Sequence, residues 1–256
     1  MPAGSRFREL SGQFVADLPG ARVVFSTRRG GCSGGPFAGL NLGTGTGDAP
    51  AAVACNRRLL ERMVGAPPLS FVRQVHGATV VRVDEPPAAG AEPPDGQGPP
   101  ARGEPVADGQ VTAARGVALA VLTADCLPIA IAGGGAVAMV HAGWRGLAAG
   151  VVSAGVDAVR ALGRGGALSA AIGPGAGACC YAVGPEVRAA FAHVPRAVSG
   201  ERVSLGAVAR ASLRDAGVDE VLDIGICTIC ADPQLLFSHR RDRGLTGRQA
   251  GVAWLT

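Results

Sequence analysis

The sequence contains no lysine: all 24 basic residues are arginine. That excludes a Schiff-base lysine, a lysine general base and a phosphate-loop lysine together. Anions must be handled by arginine, by backbone N–H groups or by a metal ion. Gly43-Thr-Gly-Thr-Gly47 looks like a phosphate loop, but no Gly-Lys-Ser/Thr follows it. It reads as a turn-rich segment that can bring backbone N–H groups near a ligand. The glycines of Gly173-Pro-Gly-Ala-Gly177 read the same way. No apolar segment follows Arg6 and Arg8, so residues 1–10 do not read as a signal peptide. No uninterrupted apolar run reaches the ~18 residues of a membrane span. The seven cysteines are an odd number and fit reduced thiols in a cytoplasmic protein, some of them open to a metal. The net charge of +4 is scattered, which gives no reason to expect a nucleic-acid partner.

What is present predicts one α+β domain over residues 1–256. Residues 21–27 (ARVVFST) read as a strand, and Asp48 as the cap of a helix from Pro50 whose buried face is Val53, Leu59, Leu60, Met63 and Val64. Strands are expected at 70–75 and 79–84, on either side of His76-Gly77. Residues 86–105 hold seven Pro and four Gly, which marks a surface insertion rather than a linker, because strand-like sequence resumes beyond it. The dense apolar runs 117–123, 127–132 and 136–141 suit strands covered on both faces. A long helix is expected over 144–162, then a strand at 170–172, helices at 185–192 and 205–216, and strands at 221–226 and 252–255. Strands and helices do not alternate regularly, which argues for α+β rather than repeated βαβ units.

Histidine is also scarce: His76, His141, His193 and His239 are all there are. Two of them end strands, in Gln-Val-His76-Gly and Val-His141-Ala-Gly-Trp-Arg-Gly. Between them lies Thr-Ala-Asp-Cys126-Leu-Pro. Each is flanked by a chain reversal or a small residue, so all three can point into one cleft. One thiolate and two imidazoles make a zinc ligand set that leaves a fourth position for water or substrate. A local His-x-x-x-His pair is absent, and the spacing equally allows other readings. Cys126 could be a nucleophile with His141 as its base, or a small buried hydrophobe beside hydrogen-bonded histidines. Cys227-Thr-Ile-Cys230 has metal-like spacing and Cys179-Cys180 could complete a four-sulfur site, but a single CxxC reads first as inert buried thiols. The arginines of 238–248 form either a solvated basic loop or an anion site, since guanidinium forks bind phosphate bidentately. Arg57 and Arg145 are further candidates, Arg145 because it stands at an expected helix start.

These segments together resemble one family. The resemblance runs through Phe25-Ser-Thr-Arg-Arg-Gly-Gly, Asn41-Leu-Gly, Asn56-Arg57-Arg58, Gln74-Val-His76-Gly, Ala107-Asp-Gly, Thr123-Ala-Asp-Cys126-Leu-Pro, His141-Ala-Gly-Trp-Arg-Gly-Leu, Cys180-Tyr-Ala-Val-Gly, Cys227-Thr, Phe237-Ser and Thr246-Gly-Arg-Gln. The family was first labelled as laccase-like multicopper polyphenol oxidases and later as purine nucleoside phosphorylases with adenosine deaminase activity. It is also called the peptidoglycan editing factor family. The resemblance implies a four-layer α/β/β/α sandwich related to the cysteine deamidase domain of cytotoxic necrotizing factor toxins. It implies zinc, with copper the other candidate, on His76, Cys126 and His141. The implied activity is phosphorolysis of adenosine, inosine and methylthioadenosine by a cytoplasmic monomer, together with adenosine deamination by activated water. In that reading Arg57 is the main cationic catalytic group, and Asn41, Arg57, Arg145 and Arg248 bind substrate or phosphate. The alternatives are a Cys/His hydrolase editing peptidoglycan precursors and a copper-dependent polyphenol oxidase. The chain departs from the family pattern at Ala176, Ala182 and His239, which bear on substrate preference more than on the metal.

Overall fold

The apolar runs become the two central sheets. The computed structural model describes residues 6–87 and 105–256. In chain order the elements are β1 (Arg8–Leu10), β2 (Gln13–Leu18), β3 (Ala21–Phe25), α1 (Pro50–Val64), β4 (Leu69–Ser70), β5 (Val80–Arg82), β6 (Gly109–Thr112), β7 (Ala118–Thr123), β8 (Leu127–Gly133), β9 (Ala136–Ala142), α2 (Trp144–Ala148), α3 (Val151–Leu162), β10 (Ser169–Ile172), α4 (Pro185–Ala190), β11 (Val198–Ser199), β12 (Arg202–Val203), α5 (Leu205–Asp215), β13 (Glu220–Asp223) and β14 (Gln249–Leu255). One six-stranded sheet has the order β1-β2-β3-β14-β7-β4 and the other β13-β10-β8-β9-β6-β5, while β11 and β12 pair separately.

Alternation along the strands stacks the layers. In β7, Leu119 and Val121 face the other sheet, whereas Ala118 and Ala120 face α1 with its Leu60 and Val64. In β9, Val137 and Met139 enter the space between the sheets, whereas Ala138 and Val140 pack against Val152, Val156 and Val159 of α3. Each sheet thus buries both faces, and the order of layers is α/β/β/α. A one-residue slip of any central strand would exchange its two faces, so register is strongly specified.

Glycine sets two local features that matter for the site. Gly134 and Gly135 turn β8 into β9 with positive φ at both positions, as a tight two-residue hairpin requires. The resulting register pairs Leu127 with Ala142 and Pro128 with His141, which sets Cys126 beside His141. Gly150, at φ 87°, breaks the helix expected over 144–162 into α2 and α3.

Other expectations change as well. Asp48 does not cap α1. Ala49 stands at that position, while the Asp48 carboxylate accepts from Ser33 Oγ (2.6 Å) and Asn41 Nδ2 (2.9 Å). The strands expected at 70–75 and 79–84 shrink to β4 and β5. Residues 88–104 of the Pro/Gly-rich insertion lie outside the described residues. Among the described residues no helix is long and apolar enough to cross a membrane.

Candidate metal centre and its cavity

His76, Cys126 and His141 meet, with one ligand atom from each lying within 4.8 Å of the other two. The two imidazoles stand edge to face, ring centroids 4.8 Å apart. His141 ends β9 and is buried, whereas His76 sits in a bend with φ 62° and is exposed. Such a bend needs an anchor, and the buried Asp108 supplies it. Its carboxylate accepts from the backbone N–H groups of Val75 (3.1 Å), His76 (2.8 Å) and Gly77 (2.6 Å). It also accepts from His141 Nδ1 at 2.8 Å. That bond fixes the His141 tautomer and leaves Nε2 free to face the cavity. Burial alone would raise Asp108, but the His141 contact and the surrounding N–H groups hold it below the ordinary carboxylate value. On the other side, Gln74 Nε2 donates to the Leu122 carbonyl (2.8 Å) and its Oε1 accepts the Leu122 N–H (2.7 Å), tying the His76 segment to β7.

The three side chains fit an ion by more than proximity. Burial raises the Cys126 thiol, yet His141 and His76 outweigh burial and bring it down to about 6. Burial lowers His141, yet Cys126 and Asp108 outweigh burial and raise it to about 9. Each group thus favours the charged form of the other, and a divalent ion that took the thiolate would displace a proton from the imidazole. Gly143 clears the space: a Cβ there would lie 2.8 Å from Cys126 Sγ and 3.0 Å from His76 Cδ2. Soft sulfur and imidazole nitrogen suit zinc or a similar thiophilic cation.

These ligands stand in the wall of a cavity of about 370 Å³, a size that suits a small organic ligand. Gly43, Gly45 and Thr46 contribute to its lining, as expected for the glycine-rich segment. Trp144, Tyr181, Arg145, Arg240 and Arg248 do so too. Arg145 is exposed and stacks on Trp144 (4.4 Å), and Arg240 stacks on Tyr181 (5.1 Å). Arg248 donates its backbone N–H to Asn41 Oδ1 (2.8 Å) and its Nη1 to the carbonyls of Thr246 (3.1 Å) and Gly247 (3.0 Å).

Two expected ligand-binding residues lie elsewhere. Arg57 does not line the cavity. It stands on the buried face of α1, stacks 3.9 Å over Phe71 and donates Nε to the Leu42 carbonyl (2.9 Å). Its Nη1 and Nη2 are buried without a hydrogen bond, and burial lowers the group to about 10. Asn41 is fully buried, and its amide is used up within the fold. Nδ2 donates to Thr46 Oγ1 (3.0 Å) and Asp48 Oδ2 (2.9 Å), and Oδ1 accepts from Gly43 N (3.0 Å) and Arg248 N. Asn41 holds the cavity wall together rather than touching its contents. Asp125, with φ 94°, is likewise an anchor. Its carboxylate accepts from Thr228 Oγ1 (2.6 Å), Ser238 Oγ (2.7 Å) and Arg240 N (2.7 Å), which fixes the arginine-bearing segment beside Cys126. Asp108, Tyr181 and Arg240 were not singled out from sequence. Ala107-Asp-Gly was visible only as a family motif, and Arg240 only as one of several arginines in the 238–248 segment.

Comparison with known proteins bears on the family and the fold. Residues 22–256 match the family described as multi-copper polyphenol oxidoreductase laccase. A protein of Xylella fastidiosa named purine nucleoside phosphorylase is 42% identical, with 94% of this chain and 96% of that protein covered. One of Streptomyces griseus, named purine nucleoside phosphorylase ORF3, is also 42% identical, with 92% and 94% covered. Among solved structures, YfiH of Bacillus licheniformis superimposes with a TM-score of 0.85 at 29% identity, covering 98% of this chain and 99% of that one. YlmD of Geobacillus stearothermophilus does so with a TM-score of 0.82 at 32% identity and the same coverage.

Proposed function

The chain belongs to the multi-copper polyphenol oxidoreductase laccase family, and from that premise we propose that it is a zinc-dependent purine nucleoside phosphorylase working at His76, Cys126 and His141. The observation that carries the reading is the convergence of these three ligands in a cavity that three arginines also line. Relatives 38–43% identical bear the name purine nucleoside phosphorylase. Polyphenol oxidation coupled to four-electron reduction of oxygen uses several coppers, and His76, Cys126 and His141 provide for a single ion.

In phosphorolysis a phosphate oxygen attacks C1′ of the ribose, the C1′–N9 bond breaks, and the purine leaves with the bonding pair and takes up a proton. The bound ion supplies Lewis-acid polarisation and orientation. The chain supplies the rest. Arg145, Arg240 and Arg248 neutralise and orient phosphate, the term on which positioning and electrostatic stabilisation depend. Trp144 and Tyr181 provide aromatic surface for the base. Arg57 supports this wall from behind through Leu42. Hydrolytic deamination of adenosine would share the same centre. Its proton carrier would be His239 or Tyr181, because Asp108 and Asp125 already spend their oxygens on internal donors.

A second reading has its own support. Cys126, His141 and Asp108 are linked in the order of a thiol–imidazole–carboxylate triad, and the thiol is already acidified to about 6. A thiol hydrolase acting on peptidoglycan precursors would use these three without an ion. The presence of His76 within ligand distance favours the metal, since the triad has no use for it.

One assay separates them. Zinc-loaded protein given adenosine or inosine should release free base only when phosphate is present, forming ribose 1-phosphate. Inosine appearing from adenosine without phosphate reports deamination. Cys126→Ala and His141→Ala should each lower phosphorolysis at least ~100-fold. A chelator should abolish it and zinc restore it. Unchanged base release from both variants would sink the phosphorylase reading, and activity indifferent to the chelator would favour the thiol hydrolase.

A further inference from the structure

A second sulfur cluster lies apart from this cavity. The fold brings Cys179, Cys180, Cys227 and Cys230 together so that all four Sγ atoms lie within 4.8 Å of one another, and Cys179 Sγ and Cys230 Sγ are 3.6 Å apart. Four sulfurs at about 2.3 Å from one tetrahedral ion stand about 3.8 Å from each other, whereas a disulfide needs about 2.05 Å. The first spacing fits this cluster and the second does not. Inert buried thiols, the reading that the lone CxxC suggested, do not fit either: Cys179 and Cys230 are exposed, and the other two are half-buried.

The backbone around the cluster is shaped for thiolates. Gly175 N donates to the Ile226 carbonyl (3.2 Å) and Thr228 N to the Gly175 carbonyl (3.0 Å), which lays the two cysteine-bearing segments side by side. Gly177 N donates to Cys227 Sγ at 3.2 Å. A Cβ at Gly177 would lie 3.0 Å from Cys227 Cβ and 3.3 Å from the sulfurs of both Cys179 and Cys227, so the position is kept bare next to the cluster. Four thiols this close oppose one another's ionisation, and a cation among them removes that opposition.

We propose that Cys179, Cys180, Cys227 and Cys230 bind one zinc ion as four thiolates, a structural site distinct from the one in the cavity. With all four positions filled by protein, it has no room for a substrate. Its place explains its use. Cys180 precedes Tyr181, which lines the cavity, and Cys227 precedes Thr228, which bonds Asp125 beside Cys126. The ion staples residues 177–181 to 226–230 and so holds one wall of the cavity in place.

The test counts metal in the whole protein, purified with zinc. The expected content is about two ions per chain, falling to about one in Cys126→Ala and to about one in Cys179→Ser/Cys230→Ser. Cobalt exchanged into the protein should give strong thiolate-to-cobalt charge-transfer absorption that survives for the most part in Cys126→Ala and falls in the double variant to the weaker band of the single Cys126 thiolate. The absorption of Cys126→Ala needs no change at the cluster, so the result holds even if the double variant unfolds. A single ion per chain, lost entirely in Cys126→Ala, overturns the proposal. So does iron in place of zinc at the cluster, or a mass 2 Da below that of the reduced chain, which marks a disulfide.

Discussion

Asp108 accepts four hydrogen bonds, three from the backbone around His76 and one from the ring of His141. Two of the three candidate metal-binding side chains of the cavity are therefore placed by one carboxylate. Asp108→Asn keeps the shape but turns one acceptor into a donor that faces N–H groups, and it removes the charge that raises His141. Zinc affinity should fall roughly 10–100-fold, measured by competition with a chelator, while the far-ultraviolet circular dichroism stays unchanged. Gly143→Ala makes a sharper case. Its φ of −77° and ψ of 172° accept alanine, so the backbone need not move, yet the new methyl would lie 2.8 Å from Cys126 Sγ. The variant should fold normally and retain less than a tenth of the zinc of the parent protein after dialysis. The meeting of His76, Cys126 and His141 could be anticipated from the sequence because histidine is scarce and each was expected beside a strand end, although β4 in fact stops at Ser70, well before His76. Asp108 could not, because it stands 32 residues from His76 and 33 from His141 in the chain, and only strand pairing closes those gaps. Arg57 misled in another way. It was expected among the phosphate-binding groups, while the phase of α1 turns it toward Phe71.

At the scale of elements, the strands with the strongest apolar alternation are where the sequence put them, within a residue or two. The long apolar runs of β7, β8 and β9 leave little freedom, because two faces must be filled at once. β4, β5, β11 and β12 are two or three residues long, and β1 shows no buried residue. Such strands exist because a neighbour offers an edge; the sequence announced β4 and β5 only as longer strands and gave no sign of β1, β11 or β12. The helix over 144–162 failed at one residue. Its apolar pattern continues through Gly150, but the chain turns there so that α2 and α3 can each reach the sheet. A Cβ at Gly150 meets nothing, so Gly150→Ala isolates the cost of its positive φ. That cost is about 1 kcal/mol, and the Tm should drop by about 2–4 °C in a thermal melt. No drop would mean that the turn relaxes at no cost.

At the scale of the molecule, three apolar cores among the described residues share their strands. β7 and β14 serve the outer and middle cores, and β8 and β9 serve the middle core and the one under α3. Neither sheet can lose its packing alone. Metal-free protein should unfold in one calorimetric transition whose van't Hoff and measured enthalpies agree, and two separated transitions would show independent halves. The four-layer stack itself was implied by the family resemblance, while the apolar runs indicated only strands covered on both faces. The pairing order did not, since β14 joins β3 and β7 from more than a hundred residues away.

That last pairing also governs how the protein can be made. β14 lies between β3 and β7, yet a ribosome produces it after every other strand of both sheets. During translation β3 and β7 each wait with an open edge, for as long as it takes to add over a hundred residues after β7. Open apolar edges of this kind invite pairing with other nascent chains. Yield in the cell should therefore depend on whatever shields those two edges until residues 249–255 arrive.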